Sequence, residues 1–381
     1  MRFEEIYERH RGGRLSGLEA AEWLGVSERT FRRWRGRYVE EGAAGLLDRR
    51  LGKVSPHRVP ADEAERIAGL YDQRYTGWTV KHFHERAVER HGLRHSYGWT
   101  KSVLQARGLV RAAARRSAHR KRRPRKPLPG MLLHQDGSRH HWVPGLGRQL
   151  DLIATMDDAT SELYSGFLVE EEGTASTFRA LGEVIESHGL FCSLYTDRGS
   201  HYFHTPKAGG KVAKATPTQV GRALGQLGIR HIAAYSPEAR GRSERLFATL
   251  QDRLPKELAD AGITTIAAAN RYIAETYIPA HNRRFAVPAD EPGSAFVAWR
   301  GGPLEEILCH QEDRVVARDN TVSFGRLCLQ IPPSPLRPHY VKATVQVRRY
   351  ADGRLALFHG PRCIARYHGD GRAIDPAELA A

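Results

Sequence analysis

The sequence predicts a multidomain chain: all-α helix-turn-helix domains first, then an α/β core in which helices flank a mixed sheet, then a small all-β barrel. Three observations carry this expectation. Apolar residues recur at helical spacing through the first 110 residues, strand-like runs then alternate with helical ones, and from Asp313 onward the apolar pattern has period two. At 381 residues the chain is long enough for several domains and at least one sizeable core.

Charge divides the same way. Residues 1 to 130 hold 30 Lys/Arg against 15 Asp/Glu, a net of +15. The remainder holds 59 − 30 = 29 against 43 − 15 = 28, a net of +1. Concentrating the excess in the first third points to a polyanion met by that third, because clustered Lys/Arg gain affinity for phosphates by counterion release. No apolar run approaches the roughly 18 residues of a membrane span and the start has no signal-peptide centre, so a cytoplasmic, nucleoid-associated protein without a membrane partner is expected. The four cysteines, Cys192, Cys309, Cys328 and Cys363, form no CxxC pair, which argues against a zinc ribbon and a disulfide framework.

Domain 1 spans residues 1 to 54. Residues 18 to 24 read as a first helix, 25 to 27 as the turn and 28 to 39 as the second helix, with Ser27 as its N-cap. Phe31, Trp34 and Tyr38 fall on one face, leaving Arg29, Arg32, Arg33 and Arg35 around the rest. An apolar docking stripe with arginines for phosphates and guanine edges suits a helix entering the major groove. After the prolines at 56 and 60, residues 55 to 111 form a second helical block (62 to 71, 79 to 91, 97 to 107). It reads as a second DNA-binding domain of helix-turn-helix or winged-helix type, with Lys101 toward DNA; a spacer or dimerisation module is the alternative. Residues 112 to 128 are a basic linker carrying Arg115, Arg116, Arg120, Lys121, Arg122, Arg123, Arg125 and Lys126, and this arm is expected along a DNA backbone.

The core spans residues 129 to 290. Strands are expected at 131 to 143, 149 to 156 and 162 to 169, a helix at 174 to 188, and a strand at 191 to 196. A helix near 218 to 227, a short strand at 230 to 234 and a long helix from about 240 to 261 follow. In the long helix Leu246, Leu250 and Leu254 form a docking stripe from which Glu244 points away. Pro255 should kink that helix or end its first segment. Asp157 and Asp158 read as turn residues. Residues 291 to 312 form a linker, and strands in residues 313 to 370 suggest the barrel.

Two acids, Asp136 and Asp197, stand at or just past expected strand ends, and Glu244 stands at the start of the long helix. Three carboxylates brought together repel unless a cation joins them. Mg2+ accepts a few carboxylates with phosphate oxygens, and two such ions about 3.5–4 Å apart suit in-line phosphodiester displacement, with Mn2+ as substitute. Asp136 would bridge the two ions, with Asp197 on one and Glu244 on the other.

Asp136, Asp197-Arg198-Gly199-Ser200 and Gly241-Arg242-Ser243-Glu244-Arg245 resemble the three acidic motifs of DDE transposases and retroviral-type integrases. Gln135-Asp136-Gly137-Ser138, Met156-Asp157-Asp158-Ala159-Thr160-Ser161 and Asn282-Arg283-Arg284-Phe285 are similar to insertion-sequence transposases of the ISNCY group. The resemblance implies an RNase H-like integrase core, Asp136, Asp197 and Glu244 as catalytic acids, and terminal inverted repeats of a mobile element as substrate. It further implies hydrolysis and strand transfer into double-stranded target DNA by a homo-multimer, with Arg245 beside the DNA. The spacing from Asp197 to Glu244 is longer than in retroviral integrases, the excess lying in a 206–217 insertion that either grips DNA or is a solvated loop. Two alternatives remain, a catalytically silent DNA-binding regulator and a nuclease that cuts without joining.

Overall fold

The computed structural model describes residues 2–48, 59–112, 124–206, 210–213, 215–235, 237–334 and 337–375, with side chains left undescribed at 237–240. The chain divides into two compact units, Met1–Arg74 with Ser102–Leu109, and Tyr75–Lys101 with Val110–Ala381.

The first unit contains α1 (Phe3–Arg11), α2 (Gly17–Trp23), α3 (Glu28–Glu41) and α4 (Ala61–Arg74). Ser16 and Glu19 close a capping box at the start of α2, and the Ser27 hydroxyl accepts from the Thr30 amide at the start of α3. Phe31 is fully buried with Ile6, Ala20 and Ala21. Helix α1 lies outside the expected elements, and its role is packing: Phe3 meets the rings of Phe31, Trp34 and Tyr38. The apolar face expected of α3 is therefore its docking face.

The second unit begins with α5 (Val80–His91), while α6 (Tyr97–Ala106) spans the division between the two units. Next come β1 (Leu133–His140), β2 (Leu150–Asp157), β3 (Leu163–Val169), α7 (Thr174–His188), β4 (Ser193–Thr196), α8 (Gln219–Gln226), β5 (Arg230–Ala233) and α9 (Pro237–Asp260). The five strands form one sheet in the order β3-β2-β1-β4-β5. β1, β2 and β3 are antiparallel neighbours, whereas β4 runs parallel to β1 and β5 parallel to β4. This is the mixed sheet flanked by helices that the sequence predicts.

Each face of the sheet has its own core. On one face Leu133 and Leu194 pack with Leu181, Val184 and Ile185 of α7 and Val220 and Leu224 of α8. On the other, Leu152, Ala154 and Met156 pack with Leu246, Leu250, Leu254 and Leu258 of α9. Helix α9 does not end at Pro255. Leu254 and Leu258, on either side of the proline, are both fully buried, so packing on this face outweighs the roughly 3 kcal/mol that an interior proline costs. Helix α10 (Ile266–Tyr272) passes through a π-type turn, Ile273–Tyr277, into α11 (Ile278–Phe285).

The C-terminal strands are β6 (His310–Val315), β7 (Thr321–Phe324), β8 (Leu327–Gln330), β9 (Thr344–Arg349), β10 (Leu355–His359) and β11 (Arg362–Tyr367). They do not close a barrel among the described residues. They form a four-stranded antiparallel sheet, β11-β10-β9-β6, and a separate β7-β8 hairpin, around one core that includes Val322, Leu329, Val345, Val347 and Leu357. Closure requires the outer strands to pair in a staggered ring. Here β6 pairs with β9, and β7 pairs with β8.

Candidate active site

Side chains alternate across β1. Leu133 and Gln135 face α7 and α8, where the Gln135 amide donates to the Tyr202 hydroxyl at 3.1 Å. His134, Asp136 and Ser138 therefore face α9. Asp136 lies within β1 rather than at its end, opposite Ala154 of β2, and is 8% exposed. Between β1 and β4 the bonded pairs are Leu133 with Leu194 and His134 with Tyr195. Continuing that parallel register pairs Gln135 with Thr196 and Asp136 with Asp197, the first residue beyond β4. Neighbouring strands lie about 4.8 Å apart, the spacing that such a continuation would give the two residues. The Asp197 carboxylate also accepts the Gly199 amide at 2.8 Å, which starts the turn leading the chain away from the sheet.

Glu244 lies 244 − 237 = 7 residues into α9, two turns beyond its start. It is exposed while Leu246, Leu250 and Leu254 are buried. Gln251 occupies the same helix face two turns on, and its amide donates to the Ser138 hydroxyl at 2.9 Å. At the other end of the contact Arg242 pairs with Asp158, which is also held by His134. The helix thus runs the same way as β1. Stepping back from Gln251 to Glu244 covers about 10.5 Å, or about three strand residues from Ser138, and brings Glu244 to about the level of Gln135, one residue before Asp136.

The arrangement is not a closed ligand set. Among the described residues, no group of three or more His, Cys, Asp or Glu is close enough to hold a metal ion. The all-oxygen donor chemistry of Asp136, Asp197 and Glu244 is of the kind that suits Mg2+.

Asp157 and Asp158, expected as a simple turn, have separate tasks. Asp157 is the turn residue: its carboxylate accepts the amides of Ala159 at 2.9 Å and Thr160 at 3.1 Å, and that of Gly130 at 3.0 Å. Asp158, 1% exposed, is a junction. It accepts from His134 Nε2 at 2.7 Å, from the Lys126 amide at 2.8 Å and from the Arg242 guanidinium. Burial alone would raise its carboxyl pKa; the His134, Arg242 and Lys126 donors outweigh that and hold it well below the usual carboxylate range. One carboxylate thereby joins β1 two residues before Asp136 to α9 two residues before Glu244. Sequence reading missed it because His134 and Arg242 lie 24 and 84 residues away.

A fourth acid was also missed. A Cβ on Gly137 would stand 2.1 Å from a Glu172 carboxylate oxygen. The glycine therefore lets Glu172 lie against the backbone on the α7/α8 face of β1, opposite the face that carries Asp136, where it accepts from the Tyr202 hydroxyl at 3.3 Å.

Along α9 lies a cavity of about 220 Å3 whose lining includes Arg125, Arg242, Arg245, Met156, Leu246 and Phe285. Arg125 is fixed there by donating to the Asp158 and Ala159 carbonyls at 2.9 and 3.1 Å and to the Ser161 hydroxyl at 2.8 Å. Partial burial lowers its pKa, and the neighbouring Arg242 charge lowers it further.

Residues 9–65 match a family model described as a winged helix-turn helix. Over 345 residues, 90% of this chain and 75% of the relative, the sequence is 30% identical to y4bF of Sinorhizobium fredii, which is named as a transposase. The chain belongs to the insertion-sequence transposases. A transposase for insertion sequence IS1202 of Streptococcus pneumoniae is 25% identical over 382 residues, 91% of this chain and 81% of that protein. Two solved viral structures show a weaker likeness, too low to bear on fold or activity. A simian T-cell lymphotropic virus intasome in complex with a PP2A regulatory subunit is 14% identical with a TM-score of 0.33, covering 81% of this chain and 99% of its own. An HTLV-2 integrase catalytic core domain in complex with magnesium is 16% identical with a TM-score of 0.29, covering 39% and 88%.

In this transposase Arg29, Arg32, Arg33 and Arg35 are all exposed on α3. Arg32 pairs with Glu28, and Arg35 bonds His10 at 3.0 Å. Lys101, Lys126 and Arg245 are exposed as well, whereas Arg125 is half-buried. Arg115, Arg116, Arg120, Lys121, Arg122 and Arg123 lie outside the described residues, as do Lys207 and Lys214 of the insertion. Among the described residues no helix is long and apolar enough to cross a membrane.

Proposed function

We propose that this transposase hydrolyses a phosphodiester at each end of an insertion sequence to free a 3′-OH, then directs that hydroxyl at a phosphodiester of double-stranded target DNA. The observation that supports the reading is the parallel pairing of Leu133 with Leu194 and His134 with Tyr195, whose continuation by two residues would set Asp197 opposite Asp136. Asp136, Asp197 and Glu244 would hold the divalent ions, and Mg2+, or Mn2+ in its place, would supply charge stabilisation at the attacking and leaving oxygens when bound. The protein residues keep the acids in place: Asp158 spans β1 and α9, and Gln251 holds the helix to Ser138.

Before DNA arrives, three uncompensated carboxylates repel. An exposed Glu244 on a helix edge is consistent with a ligand set that closes only around cation and phosphate. The basic first third, with α3 presenting Arg29, Arg32, Arg33 and Arg35, binds the terminal inverted repeats. Both ends must be held together for joining, which calls for a multimer acting on DNA in the cytoplasm.

The test is incubation of the protein with labelled DNA carrying the inverted repeat that flanks its own gene, together with a target plasmid and Mg2+. The reading expects nicks ending in 3′-OH at the repeat boundary and label joined to the plasmid, both abolished by chelation. Nicks without joined product favour a nuclease. Tight repeat binding with neither product favours a regulator.

A further inference from the structure

We propose that the cavity beside α9 takes one unpaired nucleotide of a DNA strand, its phosphate held by Arg125, Arg242 and Arg245 and its base laid against Met156, Leu246 and Phe285. Its chemistry is two-sided. Three guanidinium groups face apolar and aromatic walls, and among the described residues no carboxylate lines the cavity. Asp158 stands behind it, almost fully buried and held also by His134 and the Lys126 amide.

Arg242 is already paired with Asp158, while Arg125 and Arg245 bring two more positive charges to the same cavity, which an entering anion would offset. Arginine's planar fork suits a phosphate in particular. A phosphate alone would not call for the apolar walls, whereas a nucleobase presents a flat face that stacks on an aromatic ring such as Phe285. The volume, about 220 Å3, falls below the roughly 300 Å3 where drug-sized pockets begin. It admits one base and not a base pair.

Position gives the site a use. At about 100° per residue, Arg245 lies about 100° and Arg242 about 160° around α9 from Glu244. The two arginines thus lie together on a side of α9 turned from Glu244, so a nucleotide next to one held at Glu244 would have to swing out around the helix to enter the cavity. Seating that nucleotide out of the duplex would fix the phosphodiester presented to the acids, in the way that enzymes acting on extruded bases fix theirs.

The inference rests on the reading of the chain as a DNA strand transferase, and its test separates the two. Full-length protein is irradiated with a duplex carrying a two-nucleotide overhang, with 5-iododeoxyuridine placed either in the overhang or in the paired body. Overhang label should attach to the peptides containing Met156, His281 or Phe285, and paired label should not. Thr249→Trp, which fills the cavity from a lining position, should abolish that attachment while duplex binding persists. Arg245→Ala changes an exposed side chain and decides the matter should the tryptophan variant fail to fold. It should weaken overhang binding by about tenfold more than blunt-duplex binding, the scale of a lost charge-assisted hydrogen bond. Overhang attachment mapped only to other peptides, or equal losses for overhang and blunt DNA in Arg245→Ala, overturns the cavity assignment and leaves the strand-transferase reading intact. Absence of any DNA binding overturns both.

Discussion

Asp158 is the residue on which the spacing of the two acid-bearing elements depends. Changing it to Asn keeps its shape while removing the charge that His134, Arg242 and the Lys126 amide all address. Losing one partner of a buried ion pair costs about 3–5 kcal/mol. Asp158→Asn should lose stability on that scale in urea unfolding, and repeat cleavage should fall much further than repeat binding measured by anisotropy. Two buried histidines set a pH dependence of their own. Burial lowers the pKa of His231 and of His281 to about 4, helped by His201 in the first case and by Arg253 and Arg284 in the second. Unfolded imidazole takes a proton below about 6.5, and the folded rings do not until about pH 4. Their contribution to stability is therefore complete above pH 6.5 and lost as pH falls toward 4, on the order of 3 kcal/mol for each. Urea midpoints measured between pH 7.5 and 4.5 should show that decline, and His281→Asn should flatten it.

At the scale of elements, α5 and α9 are joined by ions rather than by a large apolar face. His82 Nε2 meets Glu257 at 3.0 Å, Arg86 meets Glu257 at 3.3 Å, Arg90 meets Asp260 at 2.7 Å and Arg253 meets Glu85 at 2.8 Å. Glu257 is 7% exposed and also accepts from the Tyr272 hydroxyl. Glu257→Ala strands His82, Arg86 and Tyr272 together and should cost about 3–5 kcal/mol. A double-mutant cycle with His82→Ala should return a coupling of about 0.5–3 kcal/mol; a coupling near zero would mean that the pair does not hold the two helices. This junction was not legible in the sequence, because its partners lie some 170 residues apart. What local pattern dictates was legible. Period two marked β1 to β3, and the leucine spacing of α9 located both its buried stripe and the exposed side bearing Glu244. Pairing partners were not, since alternation specifies which face a strand buries but not its neighbour. That is why the strands in residues 313 to 370 were expected to close into a barrel. Pro255 misled for a related reason: local propensity carries no information about Leu254 and Leu258, which hold the helix in place.

At the scale of the whole molecule, the basic first third is where the winged helix-turn helix match lies. The helix-turn-helix was readable because caps and an aromatic stripe are local signals. The candidate site was readable only as three acids, since whether they meet depends on strand pairing and the packing of α9, which local pattern does not encode. If α3 contacts phosphates through Arg29 and Arg33, Arg29→Ala and Arg33→Ala should each reduce the slope of log affinity against log salt by about 1, with little change in stability. Affinities measured across a salt series decide this. Unchanged slopes would move the phosphate contacts off α3.

The most direct test of the central claim is joining of labelled repeat DNA to a target plasmid with Mg2+, comparing the parent protein with Glu244→Gln. Glu244 is exposed, so the substitution should leave folding and repeat binding as they are. The account predicts joined product from the parent and its loss by at least about a hundredfold in the variant, the scale on which removing one transition-state stabiliser acts. Parent-level joining by Glu244→Gln would contradict it, because the third acid would then have no part in the chemistry.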